Sequence, residues 1–181
     1  LVLVSLLKEH NIRKIIASPG TTNISFVGSV QFDPYFEVYS AVDERAAAFM
    51  ACGLAEESGE PVVLTCTGAT ASRNYIPGLT EAYYRHLPVL AVTSTQHTGR
   101  VGNYVAQVID RSEQFPDMVK KSIQLPTVYS EEDKQHTVTA VNDALLELTH
   151  GNAGPVHINL ITTYSNGFNT KELPKYRTIK R

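Results

Sequence analysis

Tryptophan is missing from this sequence, cysteine and methionine occur twice each, and neither charge dominates. Sixteen Lys and Arg against 18 Asp and Glu leave a formal net charge of −2. With no basic stripe, nucleic acid and anionic membranes are poor candidates for the main partner. No apolar run approaches the roughly 18 residues that a bilayer-spanning helix needs. Cys52 and Cys66 form neither a C-x-x-C nor a zinc spacing. Both suit small buried thiols in a reducing compartment, so a cytoplasmic location is expected. The six histidines, His10, His86, His97, His136, His150 and His157, are too scattered to mark a metal site. The phosphate cradles G-x-x-x-x-G-K and G-x-G-x-x-G are absent, which leaves a nucleotide-binding module without its motif. G-x-S-x-G is absent as well, so Ser72 has no nucleophile elbow. There is no charged leader and no small-residue cleavage site. The chain starts at Leu1 inside a helical pattern, and a piece of a longer protein is expected.

What is present is enough for one sizeable domain: 181 residues, 43% of them hydrophobic. A helix from Leu1 to Glu9 presents Leu3, Leu6 and Leu7 on one side. It leads to a strand over Arg13–Ala17 and the turn Ser18-Pro19-Gly20. Thr21, Thr22 and Asn23 can cap the next helix, Ile24 to about Val30, through side-chain oxygens. A strand follows at 36–42 and a helix at 43–58, stopped by Gly59. Pro61–Cys66 and Pro88–Thr93 are continuous apolar runs of strand length, as in a sheet covered on both faces. Between them, Thr67–Ser72 turns into a helix running to about His86. The spacing further predicts a strand over Lys121–Val128, interrupted by Pro126, a helix at 130–150 capped by Ser130, and a last strand at Gly154–Ile161. Strand and helix alternate with short connections. The pattern predicts an α/β fold, a single three-layer α/β/α domain with a mainly parallel central sheet. Its bounds are 1–162, with 163–181 a polar linker toward a further domain. The irregular stretch Thr95–Asp117 is long enough to be functional or mobile.

The stretch Val42–Ala55 organises the rest. Asp43 and Glu44 fall at a strand-to-helix junction, where carboxylates suit the positive helix end. Ala47, Met50, Ala51 and Leu54 recur at helical spacing for burial. Asp43 is explained by the helix start alone. Glu44 is either a second such charge or a working acid, because the Ala and Gly behind it allow close approach of another surface. Open α/β sheets bind ligands at the carboxyl ends of their strands. Here those ends carry Ser18–Asn23, Asp43-Glu44, Thr67–Asn74 and Ser94–Arg100.

Seven ordered segments carry a resemblance: Ser18–Asn23, Val42–Ala55, Ser58–Ala71, Asn74–Ala82, Leu87–Thr93, Gln107–Asp110 and Gly154–Asn159. Together they resemble the N-terminal pyrimidine-binding domain of thiamine diphosphate-dependent enzymes, over residues 1 to about 162. The group is that of acetolactate synthase and pyruvate decarboxylase, and within it the menaquinone-pathway carboxylate synthases.

The resemblance implies a decarboxylase or carboligase acting on a 2-oxo acid. Glu44 would contact a ring nitrogen of the cofactor's aminopyrimidine and favour the tautomer that deprotonates the thiazolium carbon. A carboxyl packed against that ring would gain a raised pKa by desolvation. The resemblance also puts Thr67, Gly68, Ala69, Asn74 and Gln107 on the cofactor side, and Thr21 and Thr22 on the substrate side. Arg73 and Arg100 could hold a substrate carboxylate as a fork. Each has a plainer alternative: tight packing at 67–71, capping at 21–23, a solvated amide at Gln107, exposed arginines at 73 and 100. The chain departs from the menaquinone-pathway pattern where that pattern has arginine, at Thr21-Thr22 and at Thr93-Ser94-Thr95-Gln96. Losing those arginines is expected to weaken binding of a dicarboxylate such as isochorismate. The family's Gly-Asp-Gly motif for diphosphate and Mg2+ is absent from these residues, so both would need a downstream domain or another subunit. A homodimer or homotetramer is implied. The rival is a non-catalytic binding module of the same fold.

Overall fold

The computed structural model describes residues 1–96, 98–162 and 172–179. Its elements are α1 (Val2–Glu9), β1 (Lys14–Ala17), α2 (Ile24–Gln31), β2 (Glu37–Ser40), α3 (Glu44–Ser58), β3 (Val62–Cys66), α4 (Ala69–Arg73), α5 (Ile76–Tyr84), β4 (Val89–Thr95), β5 (Lys121–Leu125), α6 (Glu131–Glu147) and β6 (Val156–Ile161). The strands form one sheet in the order β2-β1-β3-β4-β6-β5, and every pairing is parallel.

The apolar runs of β3 and β4 are buried from end to end at the centre of this sheet. Because successive strand side chains alternate between faces, each run feeds two cores. Ile15, Val63, Leu90, Val92 and Ile158 pack with Leu3, Leu6 and Leu7 of α1 and with Val141 and Leu145 of α6. Ile16, Val62, Leu64, Val89 and Ala91 face the other way, onto Ala47, Ala48 and Ala51 of α3 and Leu79 of α5. Helices thus cover both faces, as the three-layer expectation requires.

Local chemistry corrects several boundaries. The helix expected from 67 to about 86 is two helices, broken at Asn74 and Tyr75, with Pro77 accommodated at the start of α5. β5 ends at Leu125, immediately before Pro126, rather than at Val128. β2 covers only 37–40 of the expected 36–42. The buried stripe of α3 is Ala47, Ala48, Ala51, Cys52 and Ala55; Met50, assigned to it from spacing, is exposed. These small residues serve a contact inside the chain. A Cβ on Gly78 of α5 would stand 2.4 Å from the Ala48 Cβ, and the Cys52 thiol donates to the Gly78 carbonyl at 3.2 Å. Of the expected linker, 172–179 have no regular secondary structure, while Leu173 and Tyr176 pack against the α1/α6 core. Its other residues lie outside those described.

The chain leaves β1 outward to β2 and then returns across it to β3. That reversal leaves a crevice at the carboxyl ends of β1 and β3, where a doubly wound sheet takes its ligands.

Candidate functional site

Four turns meet at this rim. Asn23, fully buried, braces the first of them. Its Oδ1 accepts the Gly20 amide at 2.8 Å, and its Nδ2 donates to the Ser18 carbonyl and the Thr65 hydroxyl at 3.2 and 3.3 Å. This corrects the capping role expected of residues 21–23, because Asn23 spends its amide on the β1 turn rather than on α2. Thr22 turns toward β4 instead: the Ser94 hydroxyl donates to its Oγ1 at 2.9 Å. Gly20 packs closely here: a Cβ on it would fall 2.2 Å from the Thr67 methyl, so a larger residue needs that side chain to turn away. Gly68 is equally constrained, with a Cβ position 2.9 Å from the Gln107 carbonyl.

These turns enclose a cleft of about 420 Å³ lined by Gly20, Thr21, Thr22, Thr67, Gly68, Ser94, Thr95, Gln96, Ala106 and Gln107. Five residues assigned to the site from sequence therefore come together: Thr21, Thr22, Thr67, Gly68 and Gln107. Gln107 holds a positive φ of 63°, a conformation uncommon for a residue with a side chain, and its backbone closes against Gly68. Ala69 opens α4 beside them. The others lie apart from the cleft lining. Asn74 is exposed and donates to the Thr70 carbonyl, Arg73 is exposed at the end of α4, and Arg100 donates to Gln96 at 3.0 Å.

Glu44 is the first residue of α3, at the carboxyl end of β2, and is half-buried. Asp43 caps the helix, its Oδ1 accepting the Ala46 amide at 2.7 Å. No hydrogen bond or ion pair engages the Glu44 carboxylate among the described residues. Its charge reaches beneath the rim to Tyr75 and Cys66. Burial pushes the Cys66 thiol up to about 12 and the Tyr75 hydroxyl well above its ordinary value. Tyr75 is 1% exposed, and its hydroxyl lies beside Ser18 and Cys66 without completing a hydrogen bond.

Two residues without a sequence signal complete the surroundings. Arg111, from the irregular loop, is buried and donates to the Ser94 carbonyl at 3.0 Å. His157 of β6 is buried between Thr93 and Ser122, each at 2.8 Å. Thr93 spends its proton on Asn159 at 3.0 Å. Its oxygen must then accept from His157 Nε2–H, which leaves Nδ1 to accept from Ser122. Burial, and then the field of Arg111, hold His157 neutral by lowering it to about 3.

The sequence pattern of the family described as "Thiamine pyrophosphate enzyme, N-terminal TPP binding domain" matches residues 2–114, more than half of the chain. The chain belongs to that family. Among relatives of this thiamine pyrophosphate domain is the 2-succinyl-5-enolpyruvyl-6-hydroxy-3-cyclohexene-1-carboxylate synthase of Bacteroides thetaiotaomicron. It is 37% identical over 182 residues, a match covering 100% of this chain and 33% of the relative. The same-named protein of Porphyromonas gingivalis is 34% identical over 177 residues, covering 94% and 31%. The domain thus spans about a third of the length of these relatives. Two solved structures share its fold. A putative thiamin diphosphate-dependent enzyme from Mycobacterium smegmatis gives a TM-score of 0.79 at 20% identity, covering 99% of this chain and 33% of that one. The thiamine diphosphate-dependent 4-hydroxybenzoylformate decarboxylase of Rhodococcus jostii RHA1 gives 0.74 at 21%, covering 88% and 29%. No helix among the described residues is long and apolar enough to cross a membrane, and no group of three metal-ligating side chains occurs among them.

Proposed function

We propose that this domain supplies the proton-relaying acid of a thiamine diphosphate-dependent decarboxylase or carboligase acting on a 2-oxo acid, with Glu44 as that acid. The observation that carries the reading is the division of labour at the start of α3. Asp43 takes the cap, so Glu44 stands at the carboxyl end of β2, outside the cleft lining itself, with a carboxylate that no described residue binds. The residues fit a flat heterocycle. The cleft is walled by the glycines Gly20 and Gly68 and by small hydroxyl and amide side chains, which leave room for a ring.

When bound, the cofactor supplies the electron sink that stabilises the carbanion left by decarboxylation. The chain's own residues position and protonate. Glu44 holds a proton at a ring nitrogen. Thr67, Gly68 and Ala69 line the aminopyrimidine side, and Gln107, fixed by its contact with Gly68, orients the reacting groups. Thr21 and Thr22 face the substrate. Asn74, expected on the cofactor side, and Arg73 and Arg100, expected to hold a substrate carboxylate, lie outside the cleft lining and carry no part of this reading. Mg2+ and the diphosphate are assigned to the part of the protein beyond this domain. The absence of arginine at Thr21-Thr22 and within Thr93-Ser94-Thr95-Gln96 disfavours a dicarboxylate such as isochorismate as acceptor.

The outward face of α3 supports a homo-oligomer, dimer or tetramer. Ala46, Phe49, Met50 and Gly53 lie exposed on it, with exposed Val42 just ahead of the helix, an apolar stripe of the kind that marks an interaction site. Two buried free thiols suit the cytoplasm. Calorimetric titration of the full-length protein with thiamine diphosphate and Mg2+ tests the reading. Saturable heat is expected; its absence leaves a non-catalytic module of the same fold.

A further inference from the structure

Arg111 is 3% exposed, yet none of the ion pairs among the described residues includes it. A buried charge is normally paired, because desolvation makes a lone one costly. Its partners here are neutral oxygens: the Ser94 carbonyl at 3.0 Å from Nη2 and the Ser72 hydroxyl at 3.4 Å from Nη1. They satisfy donors without neutralising the charge. Nε is buried with no partner among the described residues. Burial, and after it the like charge of Arg73, lowers Arg111 to about 10, which still leaves it cationic at neutral pH.

The guanidinium stands directly behind the cleft. Nη1 is 3.6 Å from where a Cβ of Gly68 would be, and both Gly68 and Ser94 line the cleft wall. Nη2 bonds the Ser94 carbonyl, so the charge sits close behind this wall, where protein of low polarisability screens it far less than water would. We propose that Arg111 is a specificity-determining residue that gives the cleft its preference for an anion. A 2-oxo acid is seated with its carboxylate toward Ser94, on the Thr22 side of the cleft, and the buried guanidinium is the counter-charge that the fold withholds. The identity of the anion as a 2-oxo acid rests on the function proposed above; the preference for negative charge does not.

The test uses the full-length protein without added cofactor, titrated calorimetrically with pyruvate and with its neutral isostere pyruvamide. Pyruvate is expected to bind at least tenfold more tightly. Arg111→Lys, which keeps the charge, is expected to retain the preference within about threefold. Arg111→Gln keeps polar donors but drops the charge, and is expected to abolish the preference. Equal binding of pyruvate and pyruvamide by the parent protein overturns the proposal, as does a preference that survives in Arg111→Gln. If Arg111→Gln fails to fold, the parent decides alone: formate must compete with pyruvate where formamide does not, and equal competition overturns the proposal. Failure of thiamine diphosphate to bind the parent, with an Arg111-dependent anion preference intact, would sink the proposed function and leave the anion site standing.

Discussion

The Asp43 carboxylate closes the first turn of α3 on the Ala46 amide at 2.7 Å, and Glu44, its neighbour, is left with no cap to make. Two adjacent acids at one helix start thus separate into a structural group and a spare one. Asp43→Ala should lower stability by about 0.5–2 kcal/mol, the usual cost of a lost N-cap. Thermal melts of the full-length protein check this, with Glu44→Gln as the control that leaves the midpoint nearly unchanged.

The closeness of α3 and α5 depends on Gly78. A methyl at that position meets the Ala48 Cβ at 2.4 Å, with backbone directly behind it at 3.0 Å. Gly78→Ala should therefore destabilise by about 1–3 kcal/mol through overpacking. Ala48→Gly in the same chain should return part of that loss, and a double-mutant cycle reads the coupling.

His157 fixes a pH dependence. Its ordinary value of 6.5 falls to about 3 in the folded chain, so between those limits the unfolded chain binds more proton. The contribution of this residue is present in full above about pH 6.5 and is lost as the pH falls toward 3, by at most ~1.4 kcal/mol per unit. Replacing His157 with Gln should flatten the fall in thermal midpoint between about pH 7 and about pH 4 relative to the parent. An unchanged slope would assign the acid sensitivity to other groups.

Much of the architecture was legible because β3 and β4 are continuous apolar runs, and only a sheet covered on both faces buries Val62–Cys66 and Val89–Thr95 completely. The break between α4 and α5 was not legible. Asn74 and Tyr75 are not helix breakers, and Pro77 is tolerated in a first turn. Periodicity placed Met50 inside, but Ala48 and Cys52 supply the close contact with α5 instead, and Met50 stays on the outer face. At the site, Thr21, Thr22, Thr67, Gly68 and Gln107 converge because turns after parallel strands share one rim. Arg111 gave no sign of its burial: an arginine in an irregular loop carries no periodic pattern, and only the folded loop brings it under Ser94.

The acid role of Glu44 is tested most directly by single-turnover decarboxylation of a 2-oxo acid by the full-length protein and its Glu44→Gln variant, both saturated with thiamine diphosphate and Mg2+. A proton-relaying acid is worth about 10²–10⁴-fold in rate. The expected result is a loss of that size with the thermal midpoint preserved. A variant that turns over at close to the parent rate would contradict the assignment of Glu44.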